Sequence, residues 1–313
     1  MNRYSFLFLL LIFSCNDGDI ITGTIEFGDT FNSCGELVFY KINSDTNESL
    51  SFQITNPTFT VDELFETTAD ATNPALVELT DPNPEGLAVT ETGNILNYRS
   101  YSETPNNIFC NDVQQGSTDI TQDFKSTTGL ASFIITLEED DNDGIPPELE
   151  DDNTDNDNNY LTNPLDTDGD GLPNYLDPDD DGDNVLTIDE NPGYDDTTNT
   201  LIAQDTDNDD IPDYLDTDDD GDTVLTINEE TASANQNPLD DISDAAVGPD
   251  YLNNQQTGSV DATAYREHAI NQEFTLTLLF SDITFPNIIY NSLSFGNLDS
   301  DLTSKIRTYT PDF

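Results

Sequence analysis

Positive charge is nearly absent from this chain: seven Lys and Arg stand against 65 Asp and Glu over 313 residues, for a formal net charge of -58. Such a surface repels phosphates, so a nucleic-acid partner is excluded. Histidine occurs once, at His268 in Tyr265-Arg-Glu-His268. A lone histidine beside a strand reads as structural, and with it goes the usual base of a serine or cysteine triad. Tryptophan is missing altogether, which removes the hallmark of an immunoglobulin-type core and weakens any sugar-binding aromatic platform. There is no phosphate loop, dinucleotide fingerprint or zinc cluster. A carboxylate pair could serve a glycosidase, but no pair can be singled out among 65 acids. The expectation is a protein that is not an enzyme.

What is present begins with a targeting segment. Arg3 precedes an apolar run, Tyr4 to Phe13, that is too short to span a bilayer. It ends Ile12-Phe13-Ser14-Cys15, which resembles a bacterial lipobox, with Phe13 bulkier than usual. Residues 1–15 then read as a lipoprotein signal with lipid on Cys15. The alternative is an ordinary secretory peptide cut elsewhere. Asn16-Asp17-Gly18-Asp19 resembles the signal that sends Bacteroidota lipoproteins to the outer leaflet. These features imply an outer-membrane, lipid-anchored, surface-facing protein whose partners are the membrane and a protein within it. With Cys15 lipidated, Cys34 and Cys110 are left either to form a disulfide in an oxidising compartment or to stand as two free thiols. A bridge closing so long a loop contributes on the order of 4 kcal/mol in the chain-entropy model.

Residues 16–137 read as β structure, best placed as a small sandwich. Strands are expected at Ile20–Phe27, Glu36–Ile42, Glu48–Ile54, Ala75–Leu79, Asn94–Tyr101 and Leu130–Leu137, each rich in β-branched and aromatic residues and set off by Asn, Asp, Pro and Gly. No long stretch has helical apolar periodicity. Residues 253–313 return to strand character at Phe274–Phe280 and Ile288–Phe295, joined by a Pro286-Asn287 turn. Two strands alone are marginal in water, so they are expected to pack on the N-terminal sheet, making the acidic middle an excursion from one β body. The alternative is a separate third domain.

The middle, residues 138–252, is the most informative region. Residues 138–230 hold 35 of the 65 acids and no Lys or Arg. Asp166–Glu190 and Asp205–Glu229 align at an offset of 39 with 18 of 25 positions identical. A hard cation in an EF-type loop takes ligands from positions 1, 3, 5, 7 and 12, with Gly at 6 for the turn. Asp166, Asp168, Asp170 and Asp177 fit positions 1, 3, 5 and 12, with Gly171 at 6. Asp179, Asp181, Asp183 and Glu190 fit again, with Asn184 at 6. Asp205, Asp207, Asp209 and Asp216 form a third ladder with Asp210 at the turn. Asp218, Asp220, Asp222 and Glu229 form a fourth, with the β-branched Thr223 in that place. Glu139, Asp141, Asp143 and Glu150 form a fifth, around Gly144. Pro173-Asn-Tyr-Leu176 recurs as Pro212-Asp-Tyr-Leu215 and Pro249-Asp-Tyr-Leu252, and Asn163-Pro-Leu-Asp166 as Asn237-Pro-Leu-Asp240. A degraded unit without its ladder therefore follows Asn237, and the Tyr-Leu pairs are expected to act as apolar clips.

This pattern resembles thrombospondin type 3 repeats, which also occur in exported Bacteroidota lipoproteins. The resemblance covers about 115 of the 313 residues. It implies several Ca2+ ions, about five, wrapped by chain with little regular structure. Asp210 and Thr223 depart from glycine at the turn and put full occupancy in question. Bound calcium would compact a segment whose charge otherwise favours disorder. Asp196-Thr197-Thr198 resembles a Bacteroidota O-glycosylation motif, and a glycan remains open as a ligand. Four readings follow: a structural or interaction lipoprotein, an accessory subunit of an outer-membrane transport or secretion complex, a calcium-dependent adhesin, and a hydrolase with an unrecognised site.

Overall fold

The computed structural model describes residues 27–313 other than 36, 56, 85, 106–107, 111–118, 152 and 231–234. Cys15 and the signal segment lie outside the described residues, as does nearly all of the strand expected at Ile20–Phe27. The first part of the chain contributes β1 (Thr30–Cys34), β2 (Val38–Asn43), β3 (Glu48–Gln53), β4 (Thr67–Ala69), β5 (Val77–Leu79), β6 (Leu87–Ala88), β7 (Ile95–Tyr101), β8 (Ile120–Lys125) and β9 (Thr128–Asp140). The acidic middle adds only the two-residue strands β10 (Tyr194–Asp195) and β11 (Thr200–Leu201). The chain ends with β12 (His268–Phe285), β13 (Ile288–Leu298) and β14 (Ser304–Tyr309).

Ten of these strands build one curled sheet in the order β6-β9-β12-β13-β1-β2-β3-β7-β8, with β14 pairing beside β12, while β4–β5 and β10–β11 form separate two-stranded sheets. Neighbours are antiparallel except β1 and β13, which run parallel. The C-terminal strands thus complete the N-terminal body. β12 pairs with β9 from Asn271 opposite Asp140 to Thr284 opposite Thr128, so the chain leaves the sheet at the end of β9 and returns beside it at the start of β12. The whole acidic middle is inserted between these two partners.

Curling brings the two halves of the sheet face to face. Phe39, Leu50, Phe52 and Leu96 from one half meet Phe133, Ile135, Leu276, Leu278 and Phe280 from the other, all buried. The Phe52 and Phe280 rings cross edge-to-face at 5.0 Å, and those of Phe39 and Phe133 at 5.9 Å. β12 alternates buried and open residues along most of its length, as the period of two requires. At the parallel seam Gly296 has φ +93, and a Cβ there would collide with the Asp29 carbonyl. β1 can therefore lie against β13 only because residue 296 has no side chain.

The single curled sheet replaces two separate sandwich layers but keeps the mainly β class. Besides the two- and three-residue strands β4, β6, β10 and β11, three strands were not foreseen. β1 (TFNSC) is short and polar, β8 (ITQDFK) is largely exposed, and β14 (SKIRTY) carries Lys305 and Arg307 between exposed residues. None of them has the apolar weight that marks a strand in sequence. The Cys34–Cys110 disulfide is formed, with Cα atoms 5.1 Å apart.

Candidate metal centres

The inserted segment is built from one small closure used repeatedly. Backbone N–H groups of Asn174, Asp213 and Asp250 donate to the carbonyls of Leu165, Gln204 and Asp241 at 2.9 to 3.0 Å. The side chains of the same three residues then turn back. Asn174 Oδ1 accepts from Thr167 N, Asp213 Oδ1 from Thr206 N and Asp250 Oδ1 from Ser243 N. Each closure is followed by a short 3-10 turn at Asn174–Leu176, Asp213–Leu215 and Asp250–Leu252, where proline supplies the extended entry. The third unit shares this frame, but Ile242, Asp244 and Ala246 stand where the second carries Asp205, Asp207 and Asp209. Its fold survives while its ladder is gone.

Within each ladder the carboxylates divide their oxygens between two tasks. One oxygen folds the loop. Asp141, Asp168, Asp207 and Asp220 accept from the N–H two residues on, at 2.9 to 3.1 Å. Asp143, Asp170, Asp183, Asp209 and Asp222 do the same one step later, to the N–H of position 7. Asp179, Asp205 and Asp218 accept from the position-6 N–H of Asn184, Asp210 and Thr223. At the buried positions 3 and 5 the other oxygen is left over, whereas Asp179 and Asp205 use both oxygens within the loop. Oδ2 of Asp141, Asp143, Asp170, Asp177, Asp183, Asp220 and Asp222 is buried without a hydrogen-bond partner, as are both carboxylate oxygens of Glu150, Glu190 and Glu229. Orphaned buried acceptors are rare and call for an unseen partner. Here they fall at positions 3, 5 and 12, and the position-12 glutamates offer both oxygens, as an EF-type loop demands.

The turn residues conform to the same geometry whatever their chemistry. Gly144 and Gly171 have φ +100 and +101, Asn184 +74, Asp210 +79 and Thr223 +84. The departures from glycine therefore strain the loop without changing its shape. Gly182 and Gly221 occupy equivalent sites at φ +71 and +67, and a Cβ on either would meet Asp168 or Asp207 Oδ2 at 2.5 Å. Consecutive ladders touch there.

Ligand atoms converge in groups whose members lie within 4.8 Å of one another: Asp141, Asp143 and Glu150; Asp166, Asp168 and Asp170; Asp181, Asp183, Glu190 and Asp219; Asp205, Asp207 and Asp209; and Asp170, Asp177 and His268. Asp216 has Asp209, Asp207 and Asp218 as its charged neighbours, and Glu229 has Asp220, Asp222 and Asp218. Glu139 does not join. It accepts from Arg307 Nε at 2.6 Å and Gln272 Nε2 at 3.0 Å. Strand β9 still holds residue 139 in the sheet, where β12 and β14 supply these partners, so the fifth ladder lacks its position-1 ligand.

Two ligand candidates were missed. Asp180 and Asp219 sit at position 2 of their own loops and reach carboxylates of other loops. Asp180 is fully buried with both oxygens unpaired, and its charged neighbours are Glu150, Asp143 and Asp141 of the loop two before its own. Asp219 completes the Asp181, Asp183 and Glu190 group. Alternate loops along the chain are therefore brought together by these carboxylates. The Asp-Asp-Asp runs at 179–181 and 218–220 carry the signal, since adjacent residues in an extended run point to opposite sides.

Burial and mutual repulsion push these acids up. Desolvation, then the charges of Asp141 and Asp143, raise Glu150 to about 10, and desolvation, then Asp220 and Asp222, raise Glu229 to about 9. Asp168 and Asp220 rise to about 6 for the same two reasons. Asp180, Asp181, Asp183 and Glu190 are all displaced upward, first by burial. A bound cation would remove both causes, and binding would release the protons. Two buried tyrosines cap this stack. Tyr214 lies near Asp180 and Glu150, and Tyr251 near Glu190 and Asp219.

The insertion is braced on the body. Leu172 and Leu176 pack with Ala75 and Ile270, and Asn73 Nδ2 donates to the Gly171 carbonyl at 2.6 Å. Residues 257–267 run back along the loops, where Val260 N donates to Asn228 O, Arg266 N to Asn184 Oδ1 and the Arg266 guanidinium to Asn184 O. His268 then begins β12 in a buried position, its basicity lowered by desolvation.

Residues 140–198 match a family model described as BamM C-terminal. The matched stretch runs from the end of β9 through the first three ladders in chain order and stops at the β10 hairpin, covering less than a fifth of the chain. No curated protein and no solved structure matches the chain.

Proposed function

We propose that this protein is a non-enzymatic accessory lipoprotein of an outer-membrane assembly complex, in which a calcium-folded array presents the contact surface. The observation that carries this reading is the coincidence of two things on one segment. The BamM C-terminal match, which points to such a complex, falls on the loops where orphaned carboxylate oxygens gather. Calcium suits those loops because the orphaned atoms are all oxygens and the position-12 glutamates are free to bind through both. Lipid on Cys15 would tether the chain at the outer membrane, with the array braced on the β body. The resemblance to thrombospondin type 3 repeats supports the same ion chemistry. Each divalent ion cancels two of the surplus negative charges and lets the segment compact while it stays soluble.

The test is an affinity purification of the tagged, lipidated protein from gently solubilised outer membranes, in calcium and in chelator. A stoichiometric barrel-assembly partner in calcium, lost in chelator, is the expected result. Recovery of the protein alone in both conditions overturns the subunit reading.

A further inference from the structure

The only histidine in the chain is buried in the first full ladder rather than at the surface. His268 and Asp177 are each about 1% exposed, and His268 Nδ1 lies 2.8 Å from Asp177 Oδ1. That distance suits a hydrogen bond, yet neither ring nitrogen makes one. Asp170 Oδ2 and Asp177 Oδ2 are also buried and without hydrogen-bond partners, and ligand atoms of all three residues lie within 4.8 Å of one another. Adjacent ligands of one ion, each roughly 2.0–2.2 Å from it, stand about 3 Å apart. The 2.8 Å approach has that spacing.

Chemistry separates this cluster from the other ladders. Those offer oxygen alone, whereas imidazole is a poor ligand for calcium and a good one for zinc, copper, iron and nickel. We propose that Asp170, Asp177 and His268 bind one first-row divalent transition ion of the zinc class. Asp170 and Asp177 belong to the array and His268 to the first position of β12, so this ion would pin the first repeat onto the β body. The apolar contact of Leu172 and Leu176 with Ile270 lies beside it. The inference rests on reading residues 166–177 as an ion-holding loop, and replaces calcium in that loop alone.

One histidine makes the test direct. The full chain, labelled with 15N-histidine, carries a single imidazole signal. It is stripped of metal, supplied with millimolar calcium and titrated with 113Cd2+ as a spectroscopic stand-in for zinc. Scalar coupling between cadmium and an imidazole nitrogen is expected at one equivalent. Zinc titrated in parallel should bind one equivalent that calcium does not displace, and His268→Gln should weaken it at least about tenfold. No coupling in the unmodified protein, or displacement of zinc by calcium, overturns the proposal, and neither readout depends on the variant folding. If the other loops take up no calcium while the coupling persists, the calcium reading fails and this site stands.

Discussion

The β body and the inserted array bury opposite materials. The body closes around Phe39, Phe52, Phe133, Phe280 and their aliphatic neighbours, and its cohesion is the removal of apolar surface from water. The array buries Asp141, Asp143, Glu150, Asp177, Asp179, Asp180, Asp181, Asp183, Glu190 and Asp219, with few apolar residues beyond Ile145, Leu172, Leu176, Val185, Tyr214 and Tyr251. Buried like charges oppose folding unless something pairs them. One chain thus joins a body with an apolar core to a segment that on the proposed reading takes its cohesion from ions in solution, and the two should fail under different conditions.

Chelation should separate them most completely. At ion concentrations a hundred times the dissociation constant, each site adds about 2.7 kcal/mol of stability, and the proposal places several in the array. Hydrogen exchange in chelator should therefore collapse across residues 141–267, while β2, β3, β9 and β12 retain their protection. Joint loss of both regions, or loss of neither, would break the comparison. Acid should then act on the array with opposite signs in its two states. Acids raised in the folded, ion-free array favour folding below the ordinary carboxylate range, and that contribution is lost as pH rises through about 6 at Asp168 and Asp220 and about 9 to 10 at Glu229 and Glu150. The hydrodynamic radius in chelator should shrink on acidification. In calcium it should grow, because the loops hold ions only when deprotonated. A radius in chelator that does not respond to pH would show that carboxylate repulsion is not what opens the array.

The converse perturbation is Phe52→Ala. Its ring meets Phe280 at 5.0 Å and is fully buried, so truncation should cost the body about 3–5 kcal/mol. The calcium stoichiometry of the array should be unchanged at temperatures where the body remains folded. A variant that loses body stability and calcium together would mean that the two regions form one cooperative unit, with Leu172, Leu176 and Ile270 as the coupling contact.

A smaller effect tests whether the array's loops act singly or as a stack. Asp219→Asn removes charge from a group supplied mainly by the loop two before its own, Asp181, Asp183 and Glu190. Calcium affinity at that group should fall at least about tenfold, and calcium titrations should become less steep as the link between repeats is weakened. Asp196→Asn, in the β10–β11 hairpin, should leave both unchanged. Equal effects from the two substitutions would reduce the shared carboxylate to a matter of net charge.

These shared ligands mark the limit of what the sequence could disclose. Spacing at positions 1, 3, 5 and 12 is local, and a reader of the chain can place Asp166, Asp168 and Asp170 on one loop without knowing where that loop sits. Asp180 and Asp219 serve a loop some thirty residues upstream, which only the stacking of repeats reveals. Glu139 shows the reverse error. Its spacing suits a ladder, but β9 has not yet ended there, and Arg307, from the far end of the chain, takes its carboxylate. His268 was read by its type and not its place, because its neighbours Asp170 and Asp177 lie about ninety residues before it. The strands divide likewise: β3, β7 and β13 carry their own apolar signal, while β1, β8 and β14 are strands through the partners they meet.

The turn of the fourth ladder tests whether loop shape is set by its own residue or by the stack around it. Thr223 is exposed and has φ +84, a conformation that crowds a β-branched side chain against its own backbone. Gly144 and Gly171 take the same turn freely at φ +100 and +101. A strained residue of this kind costs about 1–3 kcal/mol, and glycine gives back up to about 1 kcal/mol through the freedom of the unfolded chain. Thr223→Gly should therefore stabilise the calcium-loaded array by about 1 kcal/mol, and raise affinity at Asp218, Asp220, Asp222 and Glu229 by roughly fivefold if the strain is felt mainly when the loop closes on its ion. Thr223→Asn should give part of the gain, since asparagine tolerates the left-handed region and Asn184 already occupies it at φ +74. Calorimetric titration of both variants against the parent separates the cases. An affinity unchanged or lowered in Thr223→Gly would mean that neighbouring repeats hold the turn at no local cost, so that the array's geometry belongs to the stack and not to its loops.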